Sequence, residues 1–169
     1  MAGAKPPFEE LYREYLKRIY AYVRAQVPGE AEAEDVTAQV FMNAYRAYPR
    51  FRPAGQTPSA WIFRIARNAA LDHHRRASSR VRLERTLAAQ PEAFSDPAGL
   101  AEDRLRHADL MAAVAALPNR QREVVSLRHA AGLSFREVAE LMGCSEDAAK
   151  MLHHRALRAL RERLGEGVP

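Results

Sequence analysis

Two stretches of this chain carry cationic and aromatic side chains at a spacing suited to a polyanion. From Glu146 to Leu164, the residues Lys150, Met151, His154, Arg155 and Arg158 fall on one side of a helical repeat, opposite an apolar stripe of Ala149, Leu152, Ala156, Leu160 and Leu164. A basic helix with an apolar back and a tight turn before it is the shape that enters a DNA major groove. Farther upstream, Pro58 to about Ala77 directs Trp61, Ile62, Ile65 and Ala69 inward and leaves Arg64, Arg67, Asn68, Arg75 and Arg76 outside. Guanidinium groups there would serve phosphates, giving affinity that falls steeply with salt and carries little sequence information. Asn68 adds an amide that can both donate to and accept from a base edge. Around it, Phe51, Trp61 and Phe63 are either core rings or stacking surfaces for bases drawn out of a duplex, a step that costs about a few kcal/mol per base.

Bond-making chemistry has no foothold. The chain has one cysteine and no Cys/His cluster of zinc-binding spacing. The adjacent pairs His73-His74 and His153-His154 point about 100° apart on a helix and would not share an ion. There is no Gly-rich phosphate loop and no nucleophile elbow, and Asp72-His73-His74 lies on a basic helix without a paired base. The expectation is a binding protein, not an enzyme, with no metal and no cofactor.

The elements that would hold these residues are legible from their punctuation. Ser134-Phe135-Arg136-Glu137 is a capping box, Phe135, Val138, Leu141 and Met142 repeat at helical spacing, and Gly143 offers a left-handed stop. Ser145 caps the next helix, so the run from Ser134 to Leu164 reads as a helix-turn-helix with Cys144 packed in its turn. Near the start, Pro6-Pro7 opens a helix with Phe8, Leu11, Tyr12, Tyr15, Ile19, Tyr22 and Val23 on one stripe, ending near Pro28-Gly29. A second helix spans about Ala31 to Tyr48, with Val36, Val40, Ala44 and Tyr45 inward and acids in its first turns. Residues 49–56 form a loop, after which Thr57 caps a third helix with Pro58 at its first position. Leu105, Leu110, Val114 and Leu117 then mark a helix, and Val124, Val125 and Leu127 another, up to Gly132. Between Ser78 and Ala101 the periodicity fails.

These readings give an all-α fold of two small helical domains, residues 1–77 and 102–169, joined by a flexible linker at 78–101. With 169 residues and 47% hydrophobic content there is ample material for two packed cores. A formal charge of +5 suits a nucleic-acid partner. No apolar run approaches membrane-spanning length and the N-terminus lacks a signal-peptide core, so a cytoplasmic protein without membrane insertion is expected.

In order and spacing, three segments resemble bacterial sigma factors of the extracytoplasmic-function (ECF) class. Ala33-Glu34-Asp35-Val36 through Phe41-Met42-Asn43-Ala44-Tyr45-Arg46-Ala47 is similar to the family's segment that docks on core RNA polymerase. Pro58 through Arg76 resembles its promoter-melting helix, which reads the minus-ten element. Leu117 through Val124 with the helix-turn-helix resembles its reader of the minus-thirty-five element. The resemblance implies polymerase contacts from Asp35, Gln39, Phe41 and Asn43; for Phe41 the other reading is packing on the first helix. It implies minus-ten contacts from Phe51, Arg52, Trp61, Arg64, Arg67, Asn68, Arg75 and Arg76, with the loop at 50–57 capturing an extruded base. Ser145, Lys150, Met151, His154, Arg155 and Arg158 would serve the minus-thirty-five element, and the chain's Met151-Leu152-His153-His154 departs from the small and basic residues common there. The implied partners are core RNA polymerase, promoter DNA and an anti-sigma factor. The alternative is a stand-alone helix-turn-helix regulator whose N-terminal domain senses a ligand.

Overall fold

Prolines, glycines and short polar caps cut the chain into the helices that form. The computed structural model describes residues 4–83 and 101–165. Its elements are α1 (Phe8–Gln26), α2 (Glu30–Ala47), a single 3₁₀ turn (Tyr48–Arg50), α3 (Pro58–Leu83), α4 (Ala101–Ala115), α5 (Asn119–His129), α6 (Phe135–Met142) and α7 (Glu146–Leu164). Every described element is helical. The chain divides into two units, one carrying α1–α3 and the other α4–α7.

In the first unit, α1 buries Leu11, Tyr15, Ile19, Tyr22 and Val23 against Ala33, Val36, Val40 and Ala44 of α2 and Ile62, Phe63, Ala66 and Ala70 of α3. Phe63 is the ring at the centre. Fully buried, it receives the edges of Tyr15 at 6.3 Å and Tyr22 at 5.9 Å. That placement turns α3 relative to expectation: Trp61, Ile65 and Ala69 are only half-buried, because the larger ring of Phe63 takes the interior slot. The same logic corrects α2. Its small residues at Ala33, Val36, Val40 and Ala44 face inward, and Tyr45, one step and about 100° onward, is 66% exposed.

α3 starts as read, with Thr57 Oγ1 accepting the Ala60 amide at 3.2 Å. It does not stop near Ala77 but continues to Leu83, so residues 78–83, expected to be linker, are helical. Ser78-Ser79-Arg80-Val81-Arg82-Leu83 contains neither Pro nor Gly, and an established helix propagates through such residues at little cost. The rest of the expected linker, up to residue 100, lies outside the described residues.

In the second unit, Val124, Val125 and Leu127 of α5, Val138, Ala139, Leu141 and Met142 of α6, and Ala149, Ala156 and Leu160 of α7 form the core, joined by Leu117 and Leu133 from the connections. α4 packs through its end only. Ala113 and Val114 are buried, whereas Leu105 and Leu110, expected on its inner stripe, are exposed. The capping box closes as anticipated: Ser134 Oγ accepts the Glu137 amide at 3.2 Å, and the Ser134 amide donates to Glu137 Oε2 at 2.8 Å. Gly143 stops α6 at φ 64°, a region where a β-carbon is strained.

Candidate nucleic-acid interface

Since successive helical residues turn by 100°, the buried line of α3 (Ile62, Phe63, Ala66, Ala70) fixes its outer face. Trp61, Arg64, Asn68 and Arg75 share that face, with Arg67 and Arg76 on its flanks. Arg64, Asn68, Arg75 and Arg76 are exposed, and Arg75 lies 3.5 Å from Asp72. Trp61 stands at the head of this row, beside the loop. There its ring stacks on Phe51, centroids 4.5 Å apart and planes 29° from parallel.

Phe51 itself is 3% exposed, which corrects the expectation that it offers a contact face to DNA. It forms the floor under Trp61. Arg52 is exposed and donates to the Pro49 carbonyl at 2.7 Å, bracing the loop. Arg50, Arg52, Gln56, Phe51 and Trp61 help enclose an open cavity of about 470 Å³. Arg50 and Gln56 belong to the loop at 50–57 that the resemblance assigns to base capture, although neither is among the individually named contacts. Their polarity and loop position were visible, but only the folded loop shows that they border a cavity.

On α2, Asp35, Gln39 and Asn43 recur every four residues along one outer face, and Gln39 Nε2 donates to Asn43 Oδ1 at 2.8 Å. Phe41 is not on that face. It is buried against Tyr12 of α1, ring centroids 4.8 Å apart, so of the two readings the packing one describes its place. Beside the polar row runs an apolar groove between α1 and α2, about 720 Å³, lined among others by Tyr12, Leu16, Phe41, Met42 and Tyr45. Met42 and Tyr45 are half or more exposed there. The sequence hinted at this groove through the surplus of large apolar residues on α2, which one inward stripe cannot accommodate.

In α7 the buried line of Ala149, Ala156 and Leu160 places Asp147, Met151, His154 and Arg158 directly opposite, with Lys150 and Arg155 beside them. Ser145 occupies the N-cap, its Oγ accepting the Ala148 amide at 3.1 Å. Lys150 pairs with Glu146 at 3.0 Å and Arg158 with Glu162 at 3.4 Å, both across a helical turn. His154 and Arg155 are exposed.

His153 points elsewhere. Its Nε2 lies 3.0 Å from Nε2 of His129 at the end of α5. The ring centroids are 5.2 Å apart, which is close to that separation plus a ring radius at each end. The imidazoles therefore meet head-on, tilted by only 19°, in a geometry that holds one shared proton. An ion between them would need about 4 Å at ordinary zinc–nitrogen lengths. Phe135 of α6 sets its ring against His153, centroids 5.2 Å apart and planes at 78°, and the Arg128 guanidinium lies over Phe135. Burial pushes both imidazoles below their usual range. For His129 the neighbouring Arg128 adds to this, and for His153 the charges of His129, Arg128 and His154 do.

Among the described residues no group of three His, Cys, Asp or Glu side chains converges to hold a metal, and no helix is long and apolar enough to cross a membrane.

The arrangement can be set beside known proteins. Residues 11–80 match the model of sigma-70 region 2, and residues 107–160 match that of sigma-70 region 4. The ECF RNA polymerase sigma factor BldN of Streptomyces coelicolor is 39% identical over 94% of this chain, which spans 61% of that relative's length. The RNA polymerase sigma factor CarQ of Myxococcus xanthus is 33% identical over 97% of this chain and 92% of its own. In fold, the sigma factor RpoE of Bartonella quintana, solved in complex with the anti-sigma factor NepR, superposes with a TM-score of 0.82 at 24% identity, covering 95% of this chain and 98% of its own. Matched in both regions and across nearly all of CarQ, the chain belongs to the ECF class of sigma-70 family RNA polymerase sigma factors.

Proposed function

We propose that this chain is a dissociable initiation subunit of RNA polymerase, working in the cytoplasm and leaving all bond-making to the core enzyme. Core polymerase docks on α2 through Asp35, Gln39 and Asn43, with the neighbouring groove extending the contact. The outer face of α3 and the 50–56 loop bind the minus-ten element as its strands separate. Arg64, Arg67, Arg75 and Arg76 hold phosphates, Asn68 meets a base edge, and Trp61 stacks an unpaired base. α7 enters the major groove at the minus-thirty-five element, with Lys150, His154 and Arg155 at bases and Arg158 and the Ser145 end near phosphate.

The observation that carries this reading is the cavity beside Trp61, opening at the head of the Arg64–Asn68–Arg75 face. An open cavity beside an aromatic ring, next to a row of cations on the same helix, supports base capture beside phosphate contacts. A membrane-associated or soluble anti-sigma factor would silence the chain by covering these faces. That RpoE, of the same fold, was solved bound to such a factor supports this. Reconstituting the full chain with core polymerase and sequencing the transcripts begun on genomic DNA tests the proposal. Defined start sites that depend on the chain are expected. Absence of any such start, or equal binding to DNA without core, would favour a stand-alone regulator instead.

A further inference from the structure

We infer that Met151 reads the C5-methyl group of a thymine, making it a specificity-determining residue of the minus-thirty-five contact. The inference rests on the proposed entry of α7 into the major groove. Every residue of α7 is described, and Met151 is the sole apolar side chain among its exposed residues, 52% accessible. It points directly away from the buried line of Ala149, Ala156 and Leu160, between Asp147 and His154. Folding gains little from it there, since about half of its surface stays open to solvent. Any groove surface approached by α7 therefore meets this thioether among its first contacts.

Chemistry then narrows the ligand. A thioether lacks a donor and is a weak acceptor, so Met151 cannot tell bases apart by the hydrogen-bond pattern of their edges. Among the four bases, the apolar feature on the major-groove floor is the methyl of thymine. An unbranched, polarisable side chain can reach that methyl and adapt to it. Its polar neighbours divide the remaining work: Asp147 can accept from a cytosine amino group, and His154 can meet a purine edge. Lys150, held by Glu146, lies to one side of this ridge.

The test uses holoenzyme assembled from the full chain and core polymerase, with duplexes that this holoenzyme selects from a random library. Each thymine of the minus-thirty-five segment is replaced singly by deoxyuridine, which removes the methyl and preserves base pairing. One such replacement is expected to weaken binding about three- to tenfold, the scale of one buried methyl group. With Met151→Ala the thymine and deoxyuridine duplexes should bind alike, whereas Met151→Leu should keep most of the preference. Met151 is exposed and Ala favours helices, so the variant should fold. Uniform tolerance of deoxyuridine by the unaltered holoenzyme, selected segments without thymine, or a preference that survives Met151→Ala would each overturn the inference while promoter binding stands. A holoenzyme that selects no duplex at all would overturn the underlying reading and this inference with it.

Discussion

His129 Nε2 meets His153 Nε2 head-on at 3.0 Å, tying the end of α5 to the middle of α7. The pair therefore helps set the helix that carries Met151 and His154. With one proton between them the nitrogens attract, and with one on each they repel.

This pair makes stability pH-dependent. Both imidazoles titrate below their ordinary value near about 6.5 in the folded chain, owing first to burial. As pH falls through that value the unfolded chain takes up protons before the folded one, so acid favours unfolding; above it both states are neutral and the penalty vanishes. Denaturation of the full chain at a series of pH values should show stability falling on acidification, with a shallower fall for His153→Leu. An equal slope in that variant would exclude the pair as the cause.

Loss of the α6 caps should weaken the helix-turn-helix by increments. Ser134→Ala removes the capping box and should cost about 1 kcal/mol. Gly143→Ala should cost roughly 1–2 kcal/mol from backbone conformation, because no atom lies within 4 Å of the added β-carbon. Urea unfolding midpoints measure both.

Phe63→Ala should be the most damaging single change in the first unit, at about 3–5 kcal/mol, since it empties the space between Tyr15 and Tyr22. Phe63→Leu should cost much less. Comparable midpoints for the two variants would show that neighbouring rings collapse into the gap.

Trp61 is the chain's single tryptophan, so its fluorescence reports on the loop cavity directly. With the chain labelled at Trp61 by 5-hydroxytryptophan, whose emission can be excited apart from the core enzyme's tryptophans, adding single-stranded DNA of the non-template minus-ten sequence to holoenzyme should quench that emission. Trp61→Ala should weaken strand capture by about 1–3 kcal/mol, the value of one base–aromatic stack, with closed-duplex binding little changed. Unquenched emission at saturating DNA would place the base elsewhere.

Phosphate contacts from α3 should appear in the salt dependence. Arg64→Ala and Arg76→Ala should each lower the slope of log affinity against log salt by about one and weaken all promoter sequences alike. A loss confined to particular sequences would mean base reading.

The helix-turn-helix was legible because its boundaries are local chemistry: Ser134, Glu137, Gly143 and Ser145 each act within one turn. Orientation was less legible. Tyr45, Leu105 and Leu110 look like core residues by composition, yet burial depends on which neighbour reaches them: on α2 the interior takes Ala44 and leaves Tyr45 outside, and on α4 Val114 is buried whereas Leu105 and Leu110, earlier on the same helix, stay exposed. Phe51 shows the same limit in the site, because a loop aromatic can be either floor or surface until Trp61 is placed over it. The contact between His129 and His153 spans 24 positions and leaves no periodic trace.

Past Ala70, α3 runs on to Leu83 with no residue buried from Leu71 to Arg80. His73 still reaches Glu32 of α2 at 3.2 Å, and about 15 Å of helix runs on past that contact. The direction each arginine of this stretch faces is accordingly a matter of rotational phase: deleting one residue just past Ala70 swings Arg75 and Arg76 by about 100° around the axis and draws them back about 1.5 Å, while the packed base of the helix stays in place.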